Sequence, residues 1–106
     1  MADFVEAVRL DQLPLGMGTA VTIAGKMVAL FNVEGKIHAI DDTCPHAGGS
    51  LSTGRLERRI VTCPVHGMKI DVTTGCFATG SGFAVASYPV KEDCGTIMVA
   101  IGTTEK

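Results

Sequence analysis

The sequence predicts an all-β protein built of antiparallel sheets. Three observations carry that expectation. Thirteen glycines against four prolines in 106 residues supply many turns, as a fold of short strands requires. Runs rich in Val, Ile and Thr alternate with glycine-marked turns. No segment of the N-terminal half repeats its apolar residues at the helical period. Hydrophobic residues make up 46 % of the chain but aromatics only 5 %, and tryptophan is absent. The core must therefore be built mostly from aliphatic side chains. The length suits one domain with one core, small enough to gain from a metal staple.

Taken in order, Phe4 to Leu10 alternates loosely and Asp11 to Gly16 reads as a turn or loop. Thr19 to Ala24 and Lys26 to Val33 read as strands, with a turn at Gly25 between them. Glu34-Gly35 is a two-residue connection in which glycine supplies positive φ, and Lys36 to Ile40 returns as the partner strand. Asp41 to Gly54 reads as loop, with Gly48 and Gly49 allowing a close backbone approach. Leu56 to Thr62 is expected as one short strand, Met68 to Val72 as a half-buried one, and Cys76 to Ala78 as another. Gly80 to Gly82 is expected as a flexible loop. Ala84 to Val90 and Thr96 to Ile101 are expected to close the sheet, joined by residues 91 to 95. The arrangement suggests one domain over 1–106. Its base is a barrel or sandwich of strands from about 1–40 and 83–106, with a smaller unit, about 41–82, inserted between them.

The formal charge of −2 lacks the basic stripe of a nucleic-acid binder. The N-terminus has no basic start followed by an apolar run, and no apolar stretch approaches the length of a membrane span. A soluble, cytoplasmic monomer is the expectation. Four cysteines could make two disulfides in a secreted chain, but two of them are tied to histidines at short spacing.

That pattern is the strongest chemical statement in the sequence: Cys44-Pro45-His46, sixteen residues, then Cys63-Pro64-Val65-His66. Two thiols and two imidazoles form a complete tetradentate metal set. A zinc site is the generic reading, yet a zinc finger groups its cysteines apart from its histidines and sets the histidines on a helix. Here each loop carries one of each.

The mixed pattern resembles the Rieske family, in which a [2Fe–2S] cluster is held by two cysteines on one iron and two histidines on the other. The flanks agree, with Ala47-Gly48-Gly49-Ser50-Leu51-Ser52-Thr53-Gly54 after the first pair and Gly67, then Ile70 to Gly75, after the second. The resemblance implies that Cys44 and Cys63 ligate the inner iron and that His46 and His66 ligate the outer one. It implies an electron carrier rather than a catalyst, a ferredoxin between a flavin-dependent ferredoxin reductase and a terminal non-haem iron oxygenase. The alternative it leaves open is a small subunit or accessory domain of a larger reductase, such as assimilatory nitrite reductase. Respiratory-type members of the family add a disulfide-forming cysteine in each loop. The corresponding positions here are Gly49 and Val65. High-potential members place hydroxyls where this chain has Met68 and Ile70. Hydrogen bonds to sulfur favour the reduced state, so their lack implies a potential toward the low end of the Rieske range, roughly −150 mV.

The remaining candidates read as structural. His38, on the strand before the first loop, is expected to be structural or at the surface. Cys76 and Cys94 are expected as free thiols filling apolar space. Asp41, Asp42, Arg55, Glu57, Arg58 and Arg59 are expected as solvated loop charges. Pro45, Ala47, Gly48, Pro64 and Val65 would give the histidines small apolar flanks suited to a transient redox partner.

Overall fold

Five consecutive residues, Val28 to Asn32, are buried, which places their strand in a sheet covered on both faces. The computed structural model describes residues 4–23, 25–43, 50–63, 67, 69–77 and 85–100. Strand β1 spans Phe4–Arg9, β2 Gly18–Ile23, β3 Lys26–Val33, β4 Lys36–Asp41, β5 Arg55–Glu57 and β6 Ile60–Thr62. Strand β7 spans Lys69–Asp71, β8 Ser87–Tyr88, β9 Val90–Asp93 and β10 Thr96–Ala100. Short 3-10 turns occupy Leu10–Gln12 and Leu51–Thr53. There is no α-helix among the described residues, and so no helix long and apolar enough to cross a membrane.

The strands form three antiparallel sheets, in the orders β1-β10-β9, β2-β3-β4-β8 and β5-β6-β7. The middle sheet separates two apolar cores, because alternate residues of a strand point to opposite faces. Ala29 and Phe31 of β3 and Ile40 of β4 join Leu51, Val61, Cys63, Ile70, Val72, Phe77 and Val85 on one side. Val28 and Leu30 of β3 and Ile37 and Ala39 of β4 join Leu13, Ile23, Ile97 and Val99 on the other. Phe31 is the largest fully buried side chain. Gly18 lies opposite it in register, and a Cβ there would sit 2.6 Å from the ring. The β2 strand therefore passes Phe31 only as glycine.

The β3–β4 hairpin forms as expected. Glu34 and Gly35 take φ of 55° and 92°, the paired positive values of a tight two-residue turn. Buried Asn32 holds this turn from inside. Its Oδ1 accepts from the Gly35 N–H at 2.9 Å, and its Nδ2 donates to the Leu13 carbonyl at 2.7 Å.

Four expected elements differ. Residues 56 to 62 do not make one strand: β5 turns back into β6 at Arg58-Arg59, with Glu57 opposite Ile60. Arg58 takes φ of 58° without being glycine. Arg59 is fixed by its Nε, 3.0 Å from Asp71 Oδ2, and by its carbonyl, which accepts from Val72 N–H at 2.8 Å. The expected strand ending at Val90 is split at Pro89, which has no N–H to donate. Before it, β8 pairs with β4; after it, β9 pairs with β10. The expected joint at 91 to 95 is thus mostly strand, and its turn is only Cys94-Gly95. Lys91, Glu92 and Asp93 are exposed on this outer strand, where charge discourages edge-to-edge association. At Cys76 and Phe77 there is a single bridge, Ile70 to Phe77, rather than a strand. Ala78 and the expected loop at Gly80 to Gly82 lie outside the described residues.

Replacing Asn32 with Ala should cost about 1–3 kcal/mol in denaturant unfolding, because the Leu13 carbonyl and the Gly35 N–H lose a buried partner. The unfolding slope should stay unchanged.

Candidate metal centre

Of the four expected ligands, Cys63 is described, while Cys44, His46 and His66 lie outside the described residues, as do Met68 and the apolar flanks Pro45, Ala47, Gly48, Pro64 and Val65. What the structure does show is how the chain is held on either side of both loops.

The first loop leaves the middle sheet at the end of β4. Thr43 and Ser50 form an antiparallel bridge that brings its two ends together. Asp42 is buried, 4 % exposed. Its Oδ2 accepts from Ser50 Oγ at 2.6 Å and its Oδ1 from the Ser52 N–H at 2.8 Å. Its carbonyl accepts from the Leu51 N–H at 2.6 Å, and its own N–H donates to the Met27 carbonyl at 3.1 Å. Leu51 then drives into the same apolar core as Cys63.

The second loop leaves from the end of β6. Cys63 is 1 % exposed, and its carbonyl accepts from the Gly67 N–H at 3.0 Å. Gly67 takes φ of 72°, which glycine adopts without strain. The two loops are tied together by a backbone contact. A Cβ on Gly54, just after the first loop, would meet the carbonyl oxygen of Thr62, just before Cys63, at 2.1 Å.

Several expected surface residues are structural. Asp42 is not a solvated charge but a buried acceptor, and half-buried Asp41 accepts from the Tyr88 hydroxyl. Burial, then that carboxylate, push the Tyr88 hydroxyl well above its usual range. Lys26 Nζ lies over the Tyr88 ring at 5.9 Å from its centre. Arg59 pairs with Asp71, whereas Arg55, Glu57 and Arg58 are exposed as expected. Cys76 and Cys94 are free but exposed, so they do not fill apolar space. Each sits in a tight turn or bridge at the surface, where alternating apolar patterns carry no information. His38 is half-buried on β4. Desolvation, and then Lys36, lower its pKa, with Asp71 opposing them.

Comparison with known proteins decides what this arrangement belongs to. Residues 3–89 match the model of the Rieske [2Fe–2S] domain. The chain belongs to that family. The ferredoxin component of the naphthalene 1,2-dioxygenase/salicylate 5-hydroxylase systems of Ralstonia sp is 39 % identical over 90 residues, covering 84 % of this chain and 86 % of the relative. Among solved structures, the complex of reduced oxygenase and oxidized ferredoxin in carbazole 1,9a-dioxygenase contains a chain that is 26 % identical. That match covers 97 % of each chain with a TM-score of 0.87. A putative NADH-dependent nitrite reductase small subunit from Mycobacterium tuberculosis is 26 % identical, covering 98 % of this chain and 99 % of that one, with a TM-score of 0.90. The expected cofactor therefore stands: one Rieske [2Fe–2S] cluster, in an electron carrier that is not itself a catalyst.

The described residues of this Rieske domain fit that group. Cys63 lies unbridged in a core of Leu51, Val61, Ile70 and Phe77. Held as a ligand to iron, its thiolate would have the cation that a charge in so apolar a wall requires. Sequence reasoning missed the acceptor role of Asp42. The available signal was Asp42 with Ser50 and Ser52 bracketing the expected ligand segment, short polar side chains that commonly bond nearby backbone.

Gly54→Ala should destabilise the protein by about 1–3 kcal/mol, since the clash is with backbone rather than a movable side chain; denaturant unfolding would register it. His38 supplies a pH dependence. Its folded pKa lies below the unfolded value of about 6.5, so the unfolded chain takes up the proton first as pH falls. The His38 contribution is whole above that value and is lost as pH drops from there through the folded pKa. His38→Gln should flatten the stability–pH curve in that window, measured as unfolding midpoints against pH.

Proposed function

We propose that this Rieske protein is a soluble, cytoplasmic, monomeric ferredoxin that carries single electrons from a flavin-dependent ferredoxin reductase to a terminal non-haem iron oxygenase. The observation that carries the reading is likeness over 84 % of the chain to the ferredoxin component of a naphthalene 1,2-dioxygenase/salicylate 5-hydroxylase system, joined to a buried, unbridged Cys63 at the start of the second ligand segment. Cys44 and Cys63 would hold one iron through thiolate, and His46 and His66 the other through imidazole. The unit over about 41–82 would hold the cluster, with strands from about 1–40 and 83–106 as its base. The cluster would supply a one-electron acceptor, and its two imidazole ligands would raise its potential above that of an all-thiolate cluster.

The chain's own residues set the surroundings. At the position where a hydroxyl would donate to cysteine sulfur in high-potential relatives, Ile70 is fully buried in the core that contains Cys63. It has no donor to offer. With fewer hydrogen bonds to sulfur, the potential falls toward the low end of the Rieske range, roughly −150 mV. Such a value suits delivery to an oxygenase better than quinol oxidation.

A second reading, a small subunit of a nitrite reductase, is supported by the shape of the backbone, which matches such a subunit as well as it matches a ferredoxin. Backbone shape does not separate the two roles; the greater sequence identity to ferredoxin components favours the first.

The purified protein should contain about two irons per chain and, when reduced, give the EPR signature of a mixed His/Cys cluster. One zinc and no EPR signal would sink the assignment. In a reconstituted system of nicotinamide, reductase and an aromatic-ring oxygenase, product should form only when this protein is present. Restoration of nitrite reduction, with no oxygenase turnover, would establish the second reading instead.

A further inference from the structure

We propose that Asp42 is the positioning residue of the first ligand loop, the side chain that fixes the two ends of the segment carrying Cys44 and His46. The inference rests on the assignment of those two residues as ligands. It is carried by the convergence of bonds on Asp42. From the far end of the loop, Ser50 Oγ at 2.6 Å and the Ser52 N–H at 2.8 Å donate to its carboxylate, beside a main-chain bond from the Leu51 N–H to its carbonyl at 2.6 Å. Ser50 and Ser52 hydroxyls lie 3.0 Å apart and link the donors to one another. From the near end, Asp42 donates its N–H to the carbonyl of Met27 in β3. Alongside the Thr43–Ser50 bridge and the packing of Leu51, Asp42 is the residue whose side chain ties the loop's return to the end of β4.

Burial makes this fastening strong. At 4 % exposure, Asp42 has little water to replace a lost donor, and a buried acceptor left without its partner is costly. Opening the loop would strip both carboxylate oxygens at once. The second loop is closed differently, by the Gly67 N–H on the Cys63 carbonyl. Among the described residues, no side chain hydrogen-bonds Cys63 or Gly67. A side-chain change can therefore loosen the first loop while leaving the closure of the second in place.

Alanine at 42 removes both acceptors. Asparagine keeps one oxygen for the Ser52 N–H and offers an amide donor that Ser50 Oγ can accept. Four proteins loaded with cluster test the idea: wild type, Asp42→Ala, Asp42→Asn and Ile97→Val. The last trims the opposite core and reports what global destabilisation alone does. The readouts are the rate at which visible absorbance is lost to an iron chelator well below the unfolding temperature, and the width of the reduced EPR signal. Asp42→Ala should release its cluster about tenfold faster with a broadened signal, and Asp42→Asn should stay within about threefold of wild type. Ile97→Val should lower the unfolding midpoint but leave release near the wild-type rate. A wild-type rate in Asp42→Ala would overturn the proposal, as would equal acceleration in Ile97→Val. If Asp42→Ala fails to fold, Ser50→Ala stands in, with release faster than wild type expected and an unchanged rate overturning the idea. A wild-type protein that binds zinc would sink the functional reading before any variant is compared. A normal wild-type cluster indifferent to residue 42 would sink only the present inference.

Discussion

Val28 to Asn32, the central stretch of β3, have no solvent face, and that burial constrains everything placed around them. A sheet buried on one side needs a single cover; this one needs two. The β1-β10-β9 sheet supplies Ile97 and Val99 to one face. The loops and short strands between Leu51 and Val85 supply the other. The part of the chain that carries Cys63 is consequently a layer of the structure rather than an appendage. Cys63 is placed by the same apolar packing that buries Phe31 and Ile40.

This packing explains how a small domain with few aromatics can hold the described ends of two candidate ligand segments near one another. Loops carry many unpaired backbone groups and gain little from burial. Here the first is fixed through buried Asp42 and the second through a positive-φ glycine, and Gly54 lets the backbone after the first pass against Thr62 before the second. Each device acts at the edge of a strand already set by the core. The order thus runs from core to strand ends and from strand ends to the candidate ligand segments. The fold shared with dioxygenase ferredoxins and a nitrite reductase subunit fits that order, because nothing in it depends on which partner takes the electron.

The parts of the fold legible in the sequence were those written in local chemistry. Alternating β-branched runs marked β3 and β4, and Glu34-Gly35 marked their turn. Misreadings fell where local signals were silent. Arg58 adopts the conformation of a turn glycine without being one, so the β5–β6 hairpin looked like one strand. Pro89 sits between two apolar residues and divides strands that belong to different sheets, a partition invisible to periodicity. Asp41 and Asp42 looked like solvated charges because two adjacent acids in a Gly/Ser-rich loop usually are.

By itself the sequence determined the all-β class, the family and the cofactor that the family implies. The interleaved Cys/His spacing and its glycine-rich flanks are covalent facts that need no folding to be read. Only the tertiary structure decided which charges are structural, how the two cores share β3, and what fastens the first loop. Those outcomes depend on groups distant in the chain meeting in a medium that excludes water. There a carboxylate such as Asp42 must find its donors or not be buried at all.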